Sequence, residues 1–180
     1  MKRIFVTLFA SLLISFLHAQ NWLPLVSGSS ELLNSICFVG TDTGFVVGEN
    51  GTILKTIDGG MQWSAQNSGT VYPFYSVSFT DKLRGFVAGA PGMILKTTNG
   101  GNLWTFKGSG TSNPLHSVFF SDPYTGYAVG GYSGLYGTAV KTTDGGLSWT
   151  VLDPGTIFEL NSVFFTDTQT GYAARWFQRD

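Results

Sequence analysis

Cysteine is nearly absent: the 180-residue chain holds one, Cys37. No disulfide framework can form within the chain, so packing must hold the fold. Cys37 lies in the apolar stretch "SICFVG" with no histidine near it in sequence, and reads as a buried, inert thiol rather than a nucleophile. Charge is scarce too. Asp, Glu, Lys and Arg make up 12% of the chain, against about 25% in an average soluble protein. No run of like charges marks a tail or basic patch, and a net charge of −1 gives no footing for a nucleic-acid partner. Only two histidines occur, His18 and His116. With no His cluster or Cys pair, no metal set suggests itself. No Gly-rich loop opens a helix to cradle phosphate. No metal and no cofactor are expected.

What is plentiful is glycine, at 24 residues, and aromatic side chains, at 15%. Glycine-punctuated turns joining aromatic-rich segments point to an all-β chain. The first residues belong to another class. Lys2 and Arg3 form a basic head, residues 4–17 an uncharged apolar run, and Ala19 a small residue before Gln20. That order fits a signal peptide over 1–19, with Leu17 larger than usual at the −3 position. The run is short for a bilayer span, and a buried N-terminal strand or helix is the competing reading. Cleavage would leave residues 20–180 with a net charge of about −3 and no membrane span, in a secreted, periplasmic or cell-surface protein.

Self-similarity governs the rest. "LNSICF" (33–38), "FYSVSF" (74–79), "LHSVFF" (115–120) and "LNSVFF" (160–165) recur at steps of 41, 41 and 45. Gly44-Phe45, Gly85-Phe86, Gly126-Tyr127 and Gly171-Tyr172 keep the same steps. So do Trp63, Trp104 and Trp149, with Trp22 a further 41 residues upstream. The first unit divides into strands at Leu33–Val39, Gly44–Gly48, Thr52–Thr56 and Trp63–Gln66. Four strands per unit at this period is the pattern of a β-propeller blade. Units fall at about 30–69, 70–110, 111–155 and 156–180: three full blades and part of a fourth. Ile36, Val77, Val118 and Val163, with Phe38, Phe79, Phe120 and Phe165, are the expected core. The Trp22 segment is of the fourth-strand type that closes a ring from the other terminus.

Within each unit one turn repeats: "TIDGGMQW" (56–63), "TTNGGNLW" (97–104) and "TTDGGLSW" (142–149). A side-chain carbonyl at Asp58, Asn99 or Asp144 can fix the turn by accepting backbone N–H groups one or two residues on. The Gly pairs, which include Gly60, Gly101 and Gly146, supply positive φ. Trp63, Trp104 and Trp149 anchor the hairpin. Thr56, Thr97 and Thr142 fit a strand edge and can donate a hydrogen bond. Asn99 decides between geometry and charge, because it keeps the turn-forming carbonyl and has no acid–base use. The turns therefore read as structural.

This Thr-x-Asp-x-Gly-x-x-Trp pattern resembles the Asp-box, or BNR repeat, of sialidases, xyloglucanase-type glycosidases, sortilin-like receptors and the photosystem II stability and assembly factor family. "GTILKTIDGGMQW" (51–63) and "GMILKTTNGGNLW" (92–104) look most like the last. The resemblance spans about residues 22–174. It implies a propeller that normally has seven blades, and a binding or assembly scaffold rather than an enzyme. Here the repeat departs after Ala173, where "ARWFQRD" follows. Either the chain is a piece of a larger ring or chains complete one another through open blade edges.

Catalytic groups are hard to assemble. A sialidase needs several arginines converging on a carboxylate, and the chain beyond the leader has Arg84, Arg175 and Arg179. A glycosidase needs two acids across a scissile bond. Glu31, Glu49, Asp153 and Glu159 are available, and nothing in sequence pairs them. A hydrolase of the sialidase or xyloglucanase type stays open as the alternative. His116 takes the place of Asn34 and Asn161 in the repeat and reads as structural. One irregularity points to binding: "GGYSGLYGT" (130–138) is four residues longer than its counterparts, and insertions in repeat proteins map to loops on the binding face. Tyr132 and Tyr136, with Tyr72, Glu49 and His116, are the candidate binding face for a protein or glycan partner.

Overall fold

The computed structural model describes residues 24–132 and 136–175, with Tyr136 described through its backbone. The signal-peptide segment and the Trp22 strand lie outside these residues. All regular structure among them is β-strand. No described helix is long and apolar enough to cross a membrane.

The strands form antiparallel meanders. Blade 1 comprises β1 (Leu33–Phe38), β2 (Gly44–Gly48), β3 (Ile53–Thr56) and β4 (Ser64–Ala65). Blade 2 comprises β5 (Phe74–Phe79), β6 (Gly85–Gly89), β7 (Met93–Thr97) and β8 (Thr105–Gly108). Blade 3 comprises β9 (Leu115–Phe120), β10 (Gly126–Tyr132), β11 (Tyr136–Thr142) and β12 (Thr150–Leu152). β13 (Ser162–Phe165) and β14 (Gly171–Ala174) form a two-stranded sheet that begins blade 4. Each complete blade pairs its strands in sequence order. One end of every blade therefore carries the first hairpin turn and the Asp-box turn. The opposite end carries the second hairpin turn and the linkers between blades; we call it the linker end.

Alternation along the strands decides which neighbour each side chain meets. Phe45, Val47 and Ile53 of blade 1 form one buried cluster with Val77, Val87, Leu95 and Trp104 of blade 2. Phe86, Ala88 and Ile94 of blade 2 do the same with Val118, Phe120, Ala128, Val140 and Trp149 of blade 3. Val129 of blade 3 packs with Leu160 and Val163 of blade 4. The core is thus three layers between blades.

Each layer contains the same ring stack: Phe45 on Phe79 at 4.1 Å, Phe86 on Phe120 at 3.9 Å, and Tyr127 on Phe165 at 4.2 Å. These rings explain the Gly of the Gly-aromatic pairs. A Cβ on Gly85 would lie 2.3 Å from the Phe79 ring, and one on Gly126 would lie 2.6 Å from Phe120. Hydrogen bonds also cross between blades. The amides of Val77, Val118 and Val163 donate to Ser35, Ser76 and Ser117 Oγ of the preceding blade at 3.1–3.2 Å.

The expected core needs correction at its first members. Val77, Val118, Phe120 and Val163 are buried, but Ile36 is 60% and Phe38 43% exposed. Their equivalents are covered by the blade before them, and no described blade precedes blade 1. Phe79 and Phe165 are half-buried at the margins of their layers. Cys37 is likewise half-buried, and burial pushes its thiol pKa up. The long segment in blade 3 is not simply a longer loop. β10 and β11 continue the ladder as far as Tyr132 opposite Tyr136, so the extra residues lengthen a hairpin.

Candidate functional site

The three Asp-box turns share one hydrogen-bond scheme. Thr56, Thr97 and Thr142 are buried, and each hydroxyl does two jobs. It donates to the side-chain oxygen of Asp58, Asn99 or Asp144 at 2.7–3.0 Å. It accepts from the amide of Gly60, Gly101 or Gly146 at 2.9–3.0 Å. The Asp or Asn oxygen then accepts an amide further on: Gln62 for Asp58, Leu103 for Asn99, and both Leu147 and Ser148 for Asp144. The reach is three or four residues, not one or two, because the oxygen spans the Gly pair and closes the whole turn.

Asp144 also accepts from the Ser148 hydroxyl at 2.5 Å. The Ser148 hydroxyl and amide, then the Thr142 hydroxyl, hold its carboxyl well below the usual carboxylate range. The Gln62 amide and the Thr56 hydroxyl lower Asp58 in the same way. Both carboxylates serve as acceptors of their own turns.

The turn is also where blades join. Gly101 and Gly146 have φ of +84° and +74°, and a Cβ there would lie 2.6 Å from Phe45 and 2.4 Å from Phe86 of the preceding blade. At Gly60 the nearest atoms are Leu25 Cδ1 and Trp63 Cζ2, both at 3.5 Å. Trp104 stands edge-on to Phe79 and Phe45 at 6.1 and 6.4 Å, and Trp149 edge-on to Phe120 at 5.9 Å. The indole N–H groups of Trp104 and Trp149 are buried with no acceptor among the described residues. Their rings, not their polar atoms, do the joining. Trp63, with no described blade before it, is half-buried and meets Phe38 at 6.2 Å. Lys55 Nζ reaches from blade 1 to the Gly100 carbonyl at 2.7 Å.

The linker end presents a different chemistry. Glu49 follows β2, and its Oε1 accepts from Asn34 Nδ2 at 3.0 Å. The same Asn34 nitrogen donates to the carbonyl of Phe74 in blade 2, at 2.9 Å. The next residue, Tyr75, places its ring 5.2 Å from that of His116 in blade 3. His116 Nε2 lies 3.1 Å from the carbonyl of Gly131, beside Tyr132. A ribbon of Glu49, Asn34, Tyr75, His116 and Tyr132 therefore crosses three blades. Burial, then the Glu49 carboxylate and Tyr132, raise the Tyr75 phenol above its ordinary value.

Of the five residues expected on a binding face, the fold brings Glu49, His116 and Tyr132 into this ribbon. Tyr72 is exposed in the linker between blades 1 and 2, its amide donating to Thr70 Oγ1, and it is not one of the ribbon's linked residues. Tyr136 opens β11 opposite Tyr132; its side chain lies outside the described atoms. Tyr75 was not among the expected residues. It stands in the repeat column of Asn34, His116 and Asn161, and an aromatic at that column was the signal that could have found it.

The acidic hydrolase candidates lie along the same end, whereas the described arginines are divided between the two ends. Glu31 accepts from Asn50 Nδ2 at 2.8 Å, and Asp153 Oδ1 accepts from the Gly155 amide at 2.8 Å. Glu159 lies in the linker before β13. Arg84 pairs with Asp81 at the Asp-box end, at 3.0 Å. Arg175 lies over the Phe158 ring at 3.8 Å. Arg179 lies outside the described residues.

Comparison with known proteins accords with this architecture. A family model described as "Photosynthesis system II assembly factor YCF48" matches residues 14–108. A solved structure of YCF48 bound to D1 peptide is similar at 24% identity and a TM-score of 0.59, covering 69% of this chain and 41% of that one. YCF48 from Cyanidioschyzon merolae is similar at 26% identity and a TM-score of 0.56, covering 71% and 41%. The chain thus spans about two fifths of the length of these structures. An ancestral GH74 enzyme shares 18% identity at a TM-score of 0.63, covering 78% of this chain and 21% of its own; at that identity the likeness is one of fold. No curated protein matches the chain significantly. With more than half of its residues matched by that family model, and its Asp-box turns built as blade joints, the chain belongs to the photosystem II assembly factor YCF48 family.

Proposed function

We propose that this chain is a non-catalytic binding scaffold that receives a segment of a partner protein on its linker-end face. The observation that carries the reading is the YCF48 structure solved with a D1 peptide bound. Two features of this chain support it. The Asp-box acids Asp58 and Asp144 are spent on their own backbone amides. The linker end offers the tyrosines and polar groups suited to recognition. The D1 peptide belongs to that relative; the partner here is identified only as a protein segment.

Site-specific photocrosslinking in the source cells tests this. A photoreactive residue replacing exposed Tyr132 should give a discrete protein adduct, identified by mass spectrometry. One replacing exposed Ile57, at the Asp-box end, should not. Equal labelling at both positions would contradict the scaffold reading. Turnover of a xyloglucan oligosaccharide by the purified chain would favour the GH74-like alternative.

We also propose that the chain is exported, on the strength of the basic head, apolar run and Ala19. N-terminal sequencing of the exported protein should begin at or near Gln20, and an intact Met1 would count against export.

A further inference from the structure

Charge is divided between the two ends of the blades. Of the basic residues described, Lys55, Lys96 and Lys141 stand next to last in β3, β7 and β11, just before the Asp-box turns. Lys82 and Arg84 lie in the turn between β5 and β6. All five belong to the Asp-box end. That end also holds Asp42, Asp58, Asp81, Asp122, Asp144 and Asp167. Five of these six bind backbone amides of their own turns. The linker end holds Glu31, Glu49, Asp153 and Glu159 against two described basic groups, Lys107 near the end of β8 and Arg175, which lies over Phe158.

Glu49 differs from the other linker-end acids in its surroundings. Its Oε1 takes the Asn34 amide, and it forms no ion pair with any described residue. Its Oε2 accepts no hydrogen bond among the described residues. Through Asn34 it is tied to the Phe74 carbonyl, next to Tyr75, whose phenol feels its charge and whose ring meets that of His116; His116 in turn reaches the Gly131 carbonyl next to Tyr132. A carboxylate next to tyrosine faces is the arrangement that holds a guanidinium or ammonium: the charge pairs with the carboxylate, and the aliphatic and cationic parts lie on the rings.

We propose that the Glu49–Tyr75–His116–Tyr132 ribbon is a site for a cationic side chain, arginine or lysine, of the partner segment. This rests on the scaffold reading and gives it a chemical preference. Asn34 fixes the carboxylate by tying it to the blade 2 backbone. The contact between Tyr75 and His116 carries the site across the joint into blade 3. Because it draws on three blades, the site exists only when those blades are docked.

The test uses the full chain and a fluorescein-labelled (Gly-Arg)4 peptide, followed by anisotropy. (Gly-Arg)4 should bind and (Gly-Glu)4 should not. Glu49→Gln, which keeps the Asn34 hydrogen bond, should weaken binding about tenfold. Asp42→Asn removes the same charge at the other end and should change it less than about twofold. Absence of (Gly-Arg)4 binding would overturn the site. So would equal weakening by the two variants, which would mean diffuse attraction only. Binding of a xyloglucan oligosaccharide in place of (Gly-Arg)4 would assign the ribbon to glycans and overturn it as well. If Tyr132 crosslinking persists undiminished in Glu49→Gln, the scaffold reading stands and the cationic site falls. No crosslinking from the Tyr132 position in a chain that keeps Glu49 removes the scaffold reading itself.

Discussion

At the residue scale, the Asp-box assigns its work unevenly, and the hierarchy can be measured. The buried threonine is the hub, since one hydroxyl serves both the side-chain oxygen and the Gly amide. Thr142→Val keeps the shape and leaves the buried Gly146 N–H without its acceptor, which costs about 1–3 kcal/mol. Urea unfolding would show it as a lowered midpoint with an unchanged slope. Asp144→Asn should cost little by comparison, because Asn99 closes the same turn. The carboxylate does leave a pH signature. Its folded pKa is depressed below the unfolded value of about 3.9, chiefly by Ser148. Its stabilisation is therefore fully present above the unfolded pKa and fades as pH falls through that value toward the lower folded one. Stability measured from pH 5 downward should fall less steeply in Asp144→Asn than in the unmodified protein. Parallel acid limbs would contradict the hydrogen-bond account. The structural role of this turn was legible from Asn99 alone. The reach of its oxygen was not, because the Gly pair's positive φ bends the chain so that amides three and four residues on return to it.

At the element scale, the blade is the unit that repeats and the joint between blades is the unit that holds. Gly146→Ala forces a left-handed φ on a residue with a Cβ and drives that Cβ into the Phe86 ring, so it strains blade 3 against blade 2. Trp149→Ala empties the same joint and should cost about 3–5 kcal/mol. Trp149→Phe should cost distinctly less, because the indole N–H has no partner to lose. Thermal unfolding of the pair would show it, and a phenylalanine variant as unstable as the alanine one would mean the N–H matters. The strands were readable from period and alternation, with β2 placed at Gly44–Gly48 as found. The Gly-aromatic pairs were visible as landmarks without their cause, since the ring that fills the space over Gly85 belongs to Phe79 on another strand. The blade 3 insertion was visible as length only. Its pairing into β10 and β11 depends on ladder bonds that length does not encode.

At the scale of the whole molecule, the described residues hold three complete blades and the first two strands of a fourth, and the two outer faces are halves of one joint. Tyr172 occupies the column of Phe45, Phe86 and Tyr127, and is 65% exposed because no described ring stacks on it. Ile36 and Phe38 are the matching receivers at the other end. This predicts concentration-dependent self-association of the chain by sedimentation, reduced by Tyr172→Ser; a monomer unaffected by that change would contradict it. Repeat columns made the core legible, yet they could not show that its first members lack a neighbour, because burial is a property of the pair of blades. The binding face was legible in part for a related reason. Glu49 and His116 stand in loops and columns that sequence can align, whereas their link through Asn34 and Tyr75 crosses blade boundaries. The central claim is that the Asp-box is a joint between blades and not a site of chemistry. Hydrogen exchange on two variants tests it most directly. In Asp58→Asn/Asp144→Asn, where all three boxes carry Asn, amide protection should persist through β5–β12. In Gly146→Ala, protection should fall on both sides of one joint, across β6 and β9, while β2 and β3 stay protected. Protection lost in the all-Asn variant and kept in Gly146→Ala would contradict the account.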